Sequence, residues 1–214
     1  RASDVAPLST GLGEIYTFVV RSTHHTPMQL RTLLDWEIVP RLRGVAGVVE
    51  VNTAGGELKQ FQVVVDRQRL VAHGLSLRNV TEALRASNQN AGGGYIDRGP
   101  ESYVVRGEGL LRDEKEIGDV AIRLTPGQAP ILVRHVADVK VGPALRYGVI
   151  THNGKGEAVA GTVMMILGAN SRDVVRAVGQ RIEEIRKDLP AGVAIEPIYD
   201  RADFVWRTLR TVMV

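Results

Sequence analysis

The order strand, helix, strand occurs once near each end of this chain, and neither occurrence can bury its helix alone. Near the start, Glu14–Arg21 (EIYTFVVR) is rich in β-branched and aromatic residues and bounded by Gly11 and Gly13, which predicts a strand. Thr26 before Pro27 predicts an N-cap and a first helical residue whose missing N–H costs nothing there. Leu30, Leu34, Ile38 and Leu42 follow at i+4 spacing, one apolar stripe. Pro40 is expected to end or kink the last turn. Gly44 and Gly47 then punctuate the chain, and Val48–Val51 reads as a second strand.

Towards the other end the pattern repeats. Ala158–Leu167 (AVAGTVMMIL) predicts a strand buried on both faces. Asn170 or Ser171 can cap a helix with Asp173 in its first turn, where a negative charge suits the helix dipole. Its stripe is Val174, Val178, Ile182, Ile185 and Leu189; Arg186 and Lys187 stand in the last turn and Pro190 stops it. Val193–Ile198 is the closing strand. A helix stripe needs an apolar sheet face to bury against, and each half supplies only half a sheet. The halves are therefore expected to combine into one four-stranded sheet with both helices on one face, an α+β fold of the ferredoxin-like, split βαβ kind.

The segment between the halves predicts a small inserted α+β subdomain. Lys59–Val65 alternates as a strand does, and Asp66 can cap a short helix ending at Leu70 or Ala72, with Gly74 as its left-handed C-cap. Ser76 caps a better helix carrying Leu77, Val80, Ala83 and Leu84, broken by Asn88-Gln89-Asn90-Ala91 and Gly92–Gly94. Further strands are expected at Ser102–Arg106, Val120–Leu124, Ile131–Val133 and Val136–Val141, with turns at Pro126-Gly127 and Gly142-Pro143. The subdivision that follows is 11–52 with 149–199 for the split sheet, 53–148 for the insert and 200–214 for a closing segment.

Composition excludes several classes. Apolar residues at 44% and charged residues at 24% are globular values. Cysteine is absent, which removes disulfide scaffolds, thiolate metal sites and cysteine nucleophiles. The 27 basic residues exceed the 24 acidic by only three, too few for a nucleic-acid footprint, so no nucleic-acid partner is expected. The longest apolar run, Val159–Gly168, falls short of the ~20 residues that span a bilayer. The chain opens Arg-Ala-Ser-Asp, without a signal peptide, and reads as a piece of something longer.

Motifs for chemistry are sparse. Gly92–Gly94 lacks the lysine and following helix of a phosphate-binding loop, since Tyr95-Ile96-Asp97 comes next; it reads as a flexible loop. Gly11-x-Gly13 and Gly107-x-Gly109 read as turns. His24 and His25 are adjacent and point differently, and His73, His135 and His152 are isolated in sequence, so no set of zinc ligands is assigned. No nucleophile elbow supports a hydrolase, and no catalytic residue and no cofactor are assigned. Glu14, Glu50, Glu57, Asp66, Glu108 and Asp138 are expected to solvate strand edges and turns. Met164 and Met165 face opposite sides of a strand and read as packing rather than soft-metal ligands; Trp36 and Trp206 read as packing or membrane-interface anchors.

Several phrases stand in a specific order: Gly44-Val-Ala-Gly-Val-Val-Glu-Val-Asn52, Gln60-Phe-Gln-Val-Val-Val-Asp66, Asn90-Ala-Gly-Gly-Gly-Tyr-Ile96, Val104-Val-Arg-Gly-Glu-Gly109, Val133-Arg-His-Val-Ala-Asp138, Asn153-Gly-Lys-Gly-Glu157 and Tyr199-Asp200-Arg201. Together they resemble the first large periplasmic loop of resistance–nodulation–division (RND) efflux pumps, in the heavy-metal branch of the cobalt–zinc–cadmium and copper–silver type. The resemblance implies a porter subdomain with an inserted docking subdomain, and a lead-in to a transmembrane helix over 200–214. It implies a proton-driven cation antiporter of the bacterial inner membrane, trimeric, working with a periplasmic adaptor (membrane fusion) protein and an outer-membrane channel protein. In relatives the loop after the inserted helix reaches into the neighbouring subunit, which makes Tyr95, Ile96 and Arg98 the candidate trimer contacts. Copper–silver members carry methionine in a Gly-Pro-x-Met-Arg phrase; Leu145 stands there in Gly142-Pro-Ala-Leu-Arg146, which favours harder divalent cations as substrate. A second expectation is a stand-alone ferredoxin-like sensor or assembly module.

Overall fold

The computed structural model describes residues 13–99, 101–154 and 156–212. In chain order the elements are β1 (Glu14–Ser22), α1 (Pro27–Leu33), a π turn (Leu34–Ile38), α2 (Val39–Arg43), β2 (Val48–Gly55), β3 (Lys59–Val65), α3 (Arg67–Ala72), α4 (Leu77–Ser87), β4 (Ala91–Arg98) and β5 (Glu101–Gly107). There follow α5 (Glu114–Gly118), β6 (Ala121–Arg123), β7 (Ile131–Leu132), α6 (Val133–Val136), β8 (Ala137–Pro143), β9 (Ile150–Thr151), β10 (Glu157–Met165), α7 (Ser171–Asp188), β11 (Val193–Asp200) and α8 (Arg201–Val212). They form two compact units, residues 1–59 with 143–214, and residues 60–142. The fold is α+β.

The first unit is the split sheet. Its strand order is β11-β1-β10-β2 with every neighbouring pair antiparallel. Each βαβ half thus leaves a gap that a strand of the other half fills, which is why the halves are obligate partners. Thr26 forms a full capping box: its Oγ1 accepts from the Gln29 N–H at 3.2 Å and its own N–H donates to Gln29 Oε1 at 2.8 Å. Asn170 caps α7 by accepting from the Arg172 N–H at 3.1 Å. Leu30, Leu34, Ile38 and Leu42 from the first helix, and Val174, Val178, Ile182 and Ile185 from α7, are buried against Phe18, Val20, Val159 and Val163 of the sheet. Truncating any buried leucine or isoleucine of these stripes to alanine would cost about 2–5 kcal/mol.

Pro40 does not end the helix. In the π turn before it, the Val39 N–H donates to the Leu34 carbonyl, and the helix continues as α2 to Arg43. Proline has no N–H to give, and its ring crowds the carbonyl one turn back. A widened turn relieves that crowding and still leaves Leu34, Ile38 and Leu42 fully buried. The second strand, expected to end at Val51, runs on to Gly55 because β10 continues to pair with it through Val159. Pro197 lies within β11, at the sheet edge and beside a register shift, where a missing ladder donor is tolerated. Gly161 faces Phe18 across the β1–β10 pair, and a Cβ there would lie 2.8 and 3.0 Å from two ring carbons and closer still to Cζ. Glycine in mid-strand is what lets the phenyl ring lie down on the sheet.

The second unit pairs β3 with β8, β4 with β5 and β6 with β7. Its core is small: Leu70, Leu75, Val80 and Val136 form one apolar cluster, and Val120, Val133 and Ala137 another. Ser76 caps α4 with Asn79 in a second capping box, but Leu77, in the first turn, is exposed, and Val80, Ala83 and Leu84 bury the helix. Two short helices carry no stripe of their own. α5 is capped by Asp113, whose Oδ1 accepts from the Glu116 N–H at 2.7 Å. α6 interrupts what reads as two strands at 131–133 and 136–141, because one helical turn puts Val133 and Val136 both inward. Gly142-Pro143 ends β8 rather than forming a separate turn.

Asp66 caps α3 and accepts from the Gln68 N–H at 2.7 Å and the Arg69 N–H at 3.1 Å. The Arg69 N–H, then the Gln68 N–H, hold its carboxyl below the usual carboxylate range. The folded state therefore prefers the ionised form. This contribution is complete above the unfolded aspartate value of about 3.9 and fades as pH falls through the lower folded value. Asp66→Ala is accordingly expected to lower the urea midpoint of the second unit at pH 7, and to leave a smaller difference from the parent chain at pH 2.5.

Candidate functional site

The hairpin β4–β5 holds the three expected contact residues and exposes four large apolar side chains. Gly92–Gly94 is not a flexible loop: it lies inside β4, which pairs with β5 from Ala91↔Gly107 to Arg98↔Glu101. The glycines take up a register shift between Gly92 and Tyr95, and Gly94 has φ +82°, a bulge conformation that a side chain would strain. The base is pinned from outside the hairpin. Asn88 Oδ1 accepts from the Leu111 N–H at 3.0 Å and Asn90 Oδ1 from the Gly109 N–H at 3.2 Å. Both asparagines read only as helix breakers in the sequence.

All described residues of β4 are exposed. Tyr95 pairs with Val104 and Ile96 with Tyr103, so each apolar pair occupies a different face of the ribbon. Tyr95 is 73% exposed, Ile96 53%, Tyr103 52% and Val104 68%. Towards the tip, Arg98 lies opposite Glu101 and Asp97 opposite Ser102. The Tyr103 hydroxyl donates to Glu101 Oε2 at 2.6 Å, and that carboxylate raises its pKa above the ordinary tyrosine value. A two-stranded ribbon is marginal in water by itself. One that is apolar on both faces and charged at its tip has the make-up of an arm to be enclosed, not of a surface to be wetted.

The other candidates fall elsewhere. Met164 is buried and Met165 packs against the core, as expected of packing residues. Trp36 is 77% exposed on the π turn; the Trp206 side chain lies outside the described residues, as do Gly11 and Lys155. His152 Nε2 lies 3.6 Å from Glu196, which Arg21 also holds at 3.1 Å. His73 and His135, isolated in sequence, stack with ring centroids 6.5 Å apart. Among the described residues no three of His, Asp and Glu converge as metal ligands. Leu145 is exposed beside Arg146, which bridges Glu157 at 2.8 Å and Glu57 at 3.6 Å. No described helix is long and apolar enough to cross a membrane.

The family model for the AcrB/AcrD/AcrF family matches residues 1–214. The chain belongs to that family. It is 42% identical over 217 residues to the cobalt-zinc-cadmium resistance protein CzcA of Cupriavidus metallidurans, covering 97% of this chain and 20% of CzcA. It is 37% identical over 210 residues to the cation efflux system protein CusA of Escherichia coli K12, with the same coverage of 97% and 20%. Among solved structures, a heavy metal efflux pump (crystal form II) matches with TM-score 0.79 and 31% identity, over 97% of this chain and 21% of that one. The chain thus spans about one fifth of the length of its relatives.

Proposed function

We propose that this chain is the porter and docking portion of a proton-driven heavy-metal cation efflux pump, a transporter part rather than an enzyme. The porter subdomain takes in 11–52 and 149–199, the docking insert 53–148, and α8 within 200–214 leads towards a transmembrane helix. The observation that carries the reading is the split sheet together with its ribbon-bearing insert, matched over 97% of the chain by a heavy metal efflux pump structure. The pump is a homotrimer of the bacterial inner membrane, with this segment in the periplasm, and it works with a periplasmic adaptor and an outer-membrane channel. Its substrate is a divalent cation of the zinc, cobalt, cadmium or nickel kind. Leu145 in place of a thioether supports that choice, as does the resistance to cobalt, zinc and cadmium for which the relative CzcA is named.

Within the pump Tyr95, Ile96 and Arg98 contact the next subunit. The test is Tyr95→Asp with Ile96→Asp in the intact pump, expressed in a metal-sensitive host. Trimer on native gels is expected to fall at least tenfold, and growth on Zn²⁺, Co²⁺ or Cd²⁺ to be lost, with this segment still folded by circular dichroism. Full resistance with intact trimer would remove the ribbon from the interface. Protection against Ag⁺ but not Zn²⁺ by the unaltered pump would overturn the substrate assignment.

A further inference from the structure

Among the described residues, three helices have the side chain at their third position accepting from the N–H of the residue immediately before the helix. In α1 the acceptor is Gln29 Oε1, taking the Thr26 N–H at 2.8 Å, and in α4 it is Asn79 Oδ1, taking the Ser76 N–H at 2.9 Å. In α6 it is an imidazole: His135 Nδ1 takes the Leu132 N–H at 3.1 Å. Amides accept at any pH, whereas an imidazole accepts only while neutral, because both ring nitrogens of the imidazolium are donors.

We propose that His135 is an acid-sensitive pin in the second unit: it holds the α6 turn when neutral and releases it when protonated. The turn is the crossroads of that unit. Val133 and Val136 are fully buried, one in each of its two apolar clusters, the Val133 N–H donates to the Val120 carbonyl at 2.9 Å, and the Val136 carbonyl receives the Asp66 N–H at 2.9 Å. Protonating His135 sets N–H against N–H at the turn's entrance.

Charged and titratable groups face it from several elements. On its own element Arg134 is paired with Asp119. From the α3 side come the His73 ring, stacked at 6.5 Å, and Arg69, paired with Asp66 and Asp138 of β8. From β6, Arg123 donates to the carbonyls of His73, at 3.4 Å, and Gly74, at 2.9 Å. Among the described residues the three carboxylates are thus engaged by Arg134 and Arg69.

The test is hydrogen exchange of the Leu132–Ala137 amides in the 214-residue chain between pH 7.5 and 5.5, above the carboxylate range, corrected for intrinsic exchange. Protection is expected to be lower at pH 5.5 than at pH 7.5, because the imidazolium offers the Leu132 N–H no acceptor. His135→Gln, which accepts without titrating, is expected to keep its protection across the range, and His135→Ala to have low protection at both ends. A pH-independent parent chain, or a Gln variant that falls as the parent does, would overturn the proposal. Nitrogen-15 spectra of the parent at pH 7.5 give a readout independent of the variants: the proposal requires the proton on Nε2, and the Nδ1–H tautomer would end it.

Discussion

Replacing Gly161 by valine is expected to unfold the split sheet at temperatures where the parent chain is stable. The position is central: β10 is flanked by β1 on one side and β2 on the other, and Gly161 pairs with Phe18 in the first and Thr53 in the second. The Phe18 ring, fully buried, occupies the space where a Cβ would stand. It cannot swing aside, because the side chains of α1 and α7 close over it. Close-packed interiors absorb added carbons poorly, and the three of valine are expected to cost about 3 kcal/mol, at the upper end for overpacking. Urea unfolding followed by circular dichroism measures it. The cause is separable from a general dislike of substitution in the strand by pairing Gly161→Ala with Phe18→Leu. Removing part of the ring frees the space, so the double variant is expected to be about 1–2 kcal/mol more stable than the two single effects summed. Strict additivity would mean that the ring is not what excludes a side chain at 161.

The split sheet is readable in the sequence because its signals are local and repeated. Stripes at i+4, a Thr-Pro or Asn cap before each, and β-branched runs bounded by glycine fix the elements, and the need of each stripe for a full sheet fixes their interlocking. Pro40 misleads for a reason that is also local but subtler. The proline rule assumes an α-helical ladder, and one π turn before residue 40 lets the same buried stripe continue. The second unit is less legible. Val133 and Val136 look like the ends of two strands when read by composition, and only the tertiary core that both must enter makes the segment between them helical.

The ribbon shows where local reading stops. Gly92–Gly94 is a fair loop signal taken alone, and nothing in its neighbourhood announces that Asn88 and Asn90 will accept from the N–H groups of residues 111 and 109. Those bonds, made across the base, convert a glycine-rich stretch into the first half of a hairpin. The candidate contact residues Tyr95, Ile96 and Arg98 come from family resemblance, not from any pattern in their spacing. The His73–His135 stack has no sequence signal, since the residues are on different elements and meet only through the fold.

Val136→Asn is expected to unfold the second unit selectively. Val136 is fully buried in the cluster of Leu70, Leu75 and Val80, and among the described residues no polar side chain is buried there to pair with an amide. The change removes apolar burial and leaves an amide unpaired, together about 3 kcal/mol or more. At about 0.05–0.15 kcal/mol per residue, a unit the size of residues 60–142 has a total of roughly 4–12 kcal/mol, so this one side chain takes a large share. Hydrogen exchange with mass spectrometry is expected to show fast exchange across β3, α4 and β8, while β1, β10 and α7 retain their protection. Val64→Asn is the control: Val64 belongs to the same unit but is 47% exposed, and its change is expected to stay within about 0.5 kcal/mol. Equal effects at 64 and 136 would show that the small apolar clusters do not hold the insert together. Loss of protection in β1 and α7 along with the insert would show that the two units fold as one.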